Sequence, residues 1–408
     1  MKYKTWVEIN KKNLNNNVKA FRSILDKKTK LFAVVKSNAY GHGLTTFSKL
    51  ADTFGVNPVR DRPPKGGCSP ACRQAGVPVG GAVSNGVDGF CVDSVTEGKK
   101  LRKEGITKPI IVLGPSLNHL ARDAARDGIT ITVSNFDALA ALAREKAPAD
   151  FHLKIDTGMH RQGFYVSDLP KVFSIINRSK LLRKHCTGAC THFSSAKNLT
   201  YPDYTLKQIE EFEKVKVLCK EASLRDMQFH AAATGGAVLF PQSHYDIVRV
   251  GIGLYGHWPT KESAAQHPIT LKKTLTLEPV LSWRATVSEV KHFAPGDFIG
   301  YDLTERITKP TQAAIIPIGY WHGIPRSMSS RGEVLIRGAR AKILGRVSMD
   351  LITVALPKTA KCRVGDIVTI IGKDGKEFIS AEEFAEKCDS INYEALTCIN
   401  PLIERVVI

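Results

Sequence analysis

At 408 residues the chain is too long for one ordinary hydrophobic core, and two domains are expected. Its 43% hydrophobic and 24% charged residues describe a soluble globular protein. Residues 1–10 hold no apolar run of signal-peptide length, and no stretch reaches the roughly 18 uncharged apolar residues of a membrane span, so the expected address is cytoplasmic with no membrane partner. A balance of 58 Lys+Arg against 39 Asp+Glu gives +19, yet the basic residues are dispersed, without an aromatic-interleaved stripe or zinc-finger spacing. A solvated basic surface that favours small anionic ligands is expected rather than a nucleic-acid partner.

In chain order, residues 1–9 are available as an extra strand, and the first apolar run of strand length is 31–37. A Pro- and Gly-rich segment without periodicity follows at 57–86, expected as an insertion between the first helix and the second strand. Further strand-like runs come at 89–94, 109–114, 130–134, 151–157, 186–193, 227–234 and 247–255, with helical patterns between them. The helix expected over 204–221 places Leu206, Ile209, Phe212, Val215, Val217 and Leu218 near a 3.6-residue period. Such alternation over this length matches an α/β fold whose N-terminal part, 10–265, is a (β/α)8 TIM-like barrel.

After about 271 the texture changes. Runs at 280–293, 298–300, 312–317, 333–337, 342–347, 351–356 and 367–371 are short and broken by turn signals, which predicts a C-terminal mostly-β domain over 271–408. One helix is expected at 380–387, with Ser380 as N-cap and Glu383 three residues on. Nine cysteines in a long chain without a leader argue for reduced thiols. Two C-x-x-x-C pairs occur, Cys68/Cys72 and Cys186/Cys190. The second lies on an expected strand, where four residues span roughly 13 Å, too far for one metal, so no metal site is expected.

In parallel barrels the chemistry sits just past the C-terminal ends of the strands. The first strand delivers Lys36 there, either as a solvated strand-end lysine or as a Schiff-base lysine. The string Ala33-Val34-Val35-Lys36-Ser37-Asn38-Ala39-Tyr40-Gly41-His42-Gly43 resembles the cofactor-lysine signature of the alanine racemase family, and the likeness extends over nearly the whole chain outside 57–86. The resemblance implies pyridoxal 5'-phosphate as cofactor, bound to Lys36, with Tyr40 on its phosphate. His152 to Arg161 resembles the family segment in which Arg161 contacts the substrate carboxylate and the cofactor. Lys154 matches a lysine carbamylated in several members. His192 matches the histidine against the pyridine ring. Thr234 stands in a phosphate-binding pair whose usual asparagine is here Ala233. Arg249 matches the arginine facing the pyridine nitrogen, and Gly251 and Ile252 match backbone phosphate donors.

In the second half, Tyr301 matches the family's catalytic tyrosine, Met349 the methionine whose backbone meets the substrate carboxylate, and Tyr393 a further phosphate ligand. His322 replaces an expected aspartate. The implied reaction interconverts L- and D-alanine, supplying D-alanine for peptidoglycan. Lys36 and Tyr301 serve as acid and base on opposite faces of Cα. A phenol ionises near ~10 unless positive charge lowers it, so Tyr301 needs a cationic setting. The family's head-to-tail dimers imply a homodimer with sites shared across the interface. Racemases of serine, lysine or other amino acids, fold-related decarboxylases and degenerate non-catalytic cofactor-binding paralogues remain alternatives.

Overall fold

Eight parallel strands form a nearly closed barrel: Lys30–Val34, Gly89–Val92, Ile110–Pro115, Thr130–Val133, Phe151–Asp156, Cys186–Cys190, Gln228–His230 and Ile247–Val250. In this computed structural model residues 3–53, 86–224, 226–357 and 361–408 are described. The 57–86 segment, apart from Gly86, and the Cys68/Cys72 pair lie outside them. Each of the first seven strands pairs with its neighbour in chain order, the seventh does not pair with the eighth among the described residues, and the eighth returns beside the first, Ile247 opposite Lys30. The seam between seventh and eighth is bridged where Asp246 N–H donates to the Phe229 carbonyl and Arg249 N–H to that of Ala232, each at 3.0 Å. Gly89–Val92 is buried throughout, because helices outside and side chains inside cover both faces of a parallel strand. This is why these segments read as unbroken apolar runs rather than alternating ones.

The helix Asp203–Glu221 lies where its periodicity placed it and buries Ile209, Phe212 and Val215 as expected, but its buried face is only partly the expected one. Leu206 and Val217 are exposed, and the buried stripe is Thr205, Gln208, Ile209, Phe212, Val215 and Cys219. A glutamine can sit in that stripe because it is fully bonded. Its Oε1 accepts from Ser194 N–H at 3.0 Å, and its Nε2 donates to the His192 carbonyl at 3.2 Å. Tertiary hydrogen bonding overrides the apolar pattern there.

The second sheet is mostly antiparallel. The run at 280–293 is two strands, Leu281–Thr286 and Glu289–Phe293, which pair with different partners. Thr5–Ile9 lies between Leu281–Thr286, antiparallel, and Glu404–Val407, parallel. The N-terminal residues thus add a strand to the β sheet. Ser380 caps the helix Ala381–Lys387 by accepting from Glu383 N–H at 3.0 Å. A second short helix, Asn392–Thr397, was not expected from sequence. Among the described residues no helix is long and apolar enough to cross a membrane.

Candidate active site

The first barrel strand stops at Val34, whose carbonyl accepts from the Tyr255 hydroxyl at 2.8 Å. Two residues later Lys36 opens a tight turn in which Ser37, Asn38, Ala39 and Tyr40 have φ of 54°, 56°, 52° and 50°. Four successive non-glycine residues in the left-handed region cost roughly 1–2 kcal/mol each. Surrounding bonds hold them: Ser37 N–H donates to Glu97 Oε1 (2.8 Å), Leu44 N–H to Asn38 Oδ1 (2.9 Å), and Arg405 Nη2 to the Gly41 carbonyl (2.9 Å). This turn aims Lys36 and Tyr40 into the barrel mouth.

A cavity of about 590 Å³ opens at that mouth. It brings together Lys36, Tyr40, Arg161, His192, Thr234, Arg249, Gly251, Ile252 and Tyr393, and also Lys154. Tyr301 and Met349 do not line it. They are 69% and 53% exposed and stand on loops of the β sheet.

Arg249 is buried, and its bonds fix it rigidly. Its Nη2 donates to the carbonyls of Thr191 (2.9 Å) and Ala231 (2.8 Å), and its Nη1 meets His230 Nδ1 at 2.6 Å. His230 Nε2 in turn lies 2.7 Å from His152 Nδ1. A guanidinium only donates, so His230 accepts at Nδ1, carries its proton on Nε2 and donates to His152. Burial and the Arg249 charge push both His230 and His192 well below the ordinary imidazole range, and burial brings His152 to about 3. The chain of imidazoles is therefore neutral at physiological pH, and Arg249 holds the charge. His152 and His230 were not singled out as functional in the sequence. The signal available was their position on inward-facing strand sites, where a polar side chain needs a partner.

Lys154 and Arg161 come from the fifth strand and its turn. The Asp156 carboxylate accepts from the N–H groups of Gly158 (2.9 Å), His160 (3.0 Å) and Arg161 (3.1 Å). Burial works to raise this carboxyl, but the three donors outweigh it and keep it below the usual range. Burial lowers the Lys154 ammonium to about 8.

Three hydroxyl side chains, Tyr40, Thr234 and Tyr393, line the same cavity. Tyr40 and Tyr393 rings lie 6.0 Å apart, and Thr234 Oγ1 accepts from Gly253 N–H at 3.3 Å. Burial pushes Tyr40 up to about 12 and Tyr393 above its ordinary value. Both therefore stay protonated and can donate to an anion. A Cβ at position 251 would stand 2.8 Å from the Tyr40 hydroxyl, so glycine is what lets that hydroxyl approach the backbone. One cavity thus holds hydroxyl and backbone donors, a strand-end amine and a fixed guanidinium, a donor set whose chemistry fits the phosphate, aldehyde and ring nitrogen of pyridoxal 5'-phosphate. Among the described residues no cluster of His, Cys, Asp or Glu could hold a metal ion, and Cys186 and Cys190 are free thiols.

On the β sheet, His322 takes up a turn-closing role: its Nδ1 accepts from Gly319 N–H at 3.2 Å, and it lies 3.9 Å from Asp350. Tyr320 N–H donates to the Ser348 carbonyl and Trp321 N–H to that of Met349. Asp302 lies 3.6 Å from Arg326 and 3.5 Å from Arg346. These bonds gather Tyr301, Leu303, Tyr320, Trp321, Met349 and Leu351, all exposed, into loops tied to one another.

Fold and cavity define a class: a parallel α/β barrel with a lysine and several other cations at its mouth, joined to a mostly antiparallel β sheet. The family models for the alanine racemase N-terminal domain and C-terminal domain match residues 9–62 with 71–259, and 280–407. The chain belongs to the alanine racemase family, whose members are pyridoxal-phosphate-dependent isomerases. An alanine racemase of Leptospira interrogans is 34% identical over 408 residues, covering all of this chain and 96% of its own. Alanine racemase 2 of Bacillus subtilis is also 34% identical, with 99% of this chain and 94% of its own covered. The structure of a Bacillus anthracis alanine racemase with bound L-Ala-P superposes with a TM-score of 0.85 at 29% identity, over all of this chain and 96% of that one.

Proposed function

We propose that this chain is an alanine racemase that interconverts L- and D-alanine with Lys36 and Tyr301 as its two acid/base groups. The observation that carries the reading is the cavity itself: one lysine amine, one buried guanidinium and three hydroxyl donors meet where the barrel strands end. When bound, pyridoxal phosphate withdraws electrons from Cα and makes its proton removable. Lys36 takes or returns that proton on one face of Cα, and Tyr301 does so on the other. Arg161 and the Met349 backbone hold the substrate carboxylate. Tyr40, Thr234, Gly251, Ile252 and Tyr393 would hold the phosphate, His192 would pack against the ring and Arg249 would serve its nitrogen. Because a guanidinium does not readily give up its proton, Arg249 would not supply one to the ring nitrogen of the bound cofactor, and would so limit side reactions.

Residues 10–265 then form the cofactor-binding unit and 271–408 the unit that carries Tyr301 and Met349, in a cytoplasmic homodimer whose sites are each completed by the neighbouring subunit. The exposed loops around Tyr301 support this, since six large apolar side chains on one set of tied loops mark an interaction surface. The test is an assay of D-/L-alanine exchange beside borohydride reduction and peptide mapping. Racemisation of alanine over other amino acids, with the reduced adduct on Lys36, is expected. An adduct elsewhere, or a preference for serine or lysine, would overturn the corresponding part of the assignment.

A further inference from the structure

The cations lining the cavity are Lys36, Lys154, Arg161, Lys197 and Arg249, and Asp93 is the sole carboxylate among its described lining residues. Asp93 follows the second barrel strand, and its Oδ1 lies 4.0 Å from Lys36 Nζ. The local structure builds this pair. Glu97 accepts from Ser37 N–H with one oxygen (2.8 Å) and from Asp93 N–H with the other (2.7 Å), locking the backbones beside Lys36 and Asp93 together. On the third strand, a Cβ at Gly114 would stand 2.3 Å from the Asp93 carbonyl oxygen and 3.0 Å from its Oδ1, so the absent side chain leaves room for the carboxylate.

Arg249, Lys154, Arg161, His192 and Tyr40 share the cavity lining with this pair, and the buried Cys91 thiol is near enough to feel the Lys36 charge. A free lysine ammonium is repelled by these cations and attracted toward Asp93, the one carboxylate among the described lining residues. We propose that Asp93 is a positioning residue that docks the Lys36 ammonium at the cavity wall whenever this amine is not bonded to the cofactor. The proposal rests on Lys36 being the cofactor lysine. A docked ammonium is not a nucleophile, so its proton must leave before nitrogen can attack. Removing the carboxylate therefore exposes a more reactive amine.

The test needs no turnover. Full-length protein dialysed free of cofactor is trace-labelled with acetic anhydride, and acetylation of each lysine is read by peptide mass spectrometry. Asp93→Asn is expected to label at Lys36 about fivefold faster than wild type at pH 7, the factor carried by unit charges 4 Å apart in a water-like dielectric. The ratio should fall toward one near pH ~11, above the ordinary lysine value. Asp93→Glu should restore slow labelling. Lys49 and Lys261, ion-paired elsewhere with Glu104 and Glu386, serve as internal standards. Equal labelling of Lys36 in Asp93→Asn and wild type at pH 7 overturns the proposal. So does a rise that persists at high pH or is shared by Lys49 and Lys261, which would report general loosening. Borohydride mapping separates the two claims: an adduct away from Lys36 defeats the cofactor assignment whatever the labelling shows.

Discussion

Arg249 answers its burial with two carbonyls and a histidine, and that choice sets the electrostatics of the barrel interior. Replacing His230 by Phe removes the acceptor of Nη1 and leaves a buried guanidinium N–H unsatisfied. A loss of about 2–3 kcal/mol in urea-unfolding stability is expected, with weaker binding in a pyridoxal phosphate titration. Unchanged stability would show that His230 is a bystander. Lys154 makes a second residue-scale prediction. Burial lowers its folded-state value to about 8, against about 10.5 for a free lysine, so between those values the unfolded chain binds more protons than the folded one. Stability should therefore rise with pH across pH 8–10.5. The cost of burying the charge is fully present below that window and gone above it, with an upper bound of about 3 kcal/mol. Lys154→Met should lack this rise, so the difference between wild-type and variant stability curves should change across the window. Parallel curves across the window would refute the assignment.

At the scale of elements, the strained turn after Lys36 is tied to the far end of the chain. Gly41 has φ 82°, and a Cβ there would lie 2.0 Å from the Leu396 carbonyl oxygen, on the unexpected helix Asn392–Thr397 that carries Tyr393. Gly41→Ala is expected to cost more than ~2 kcal/mol in thermal or urea unfolding, since it combines strain with a backbone clash. Retained stability with a normal cofactor titration would argue against that contact. The same elements show what sequence conveys. The barrel strands were legible because burial on both faces writes continuous apolar runs. Lys36 was legible because a charge at the end of such a run needs a reason. The left-handed turn was not, since Ser37 to Tyr40 are ordinary residues and bonds from Glu97 and Arg405, far along the chain, hold it together with a local bond of Asn38 to Leu44 N–H. Asn392–Thr397 was hidden for a similar reason. Six residues are too few to show a period, and the helix is held by partners far along the chain, such as Trp258, whose carbonyl accepts from Asn392 Nδ2 at 3.2 Å. Asp93 and the histidine chain were also invisible in sequence, because their meaning lies in what stands opposite.

At the scale of the whole molecule, the chain's two ends meet in one sheet, where Thr5–Ile9 pairs with Glu404–Val407, while the two proposed acid/base groups are kept apart. Lys36 lines the cavity, whereas Tyr301 projects from a loop that does not. If each site is made by two subunits, lesions can be segregated. Lys36→Ala and Tyr301→Phe homodimers should each be inactive. When they are unfolded and refolded together in equal amounts, about half of the dimers are mixed. With head-to-tail sharing, each mixed dimer holds one site with both lesions and one with neither, so about a quarter of wild-type activity should return. If each site instead used the lysine and tyrosine of a single chain, every site in the mixture would carry one lesion, and no activity would return. Diluting the wild-type enzyme below its dimerisation constant should give the matching loss of racemisation, with pyridoxal phosphate still held on the barrel.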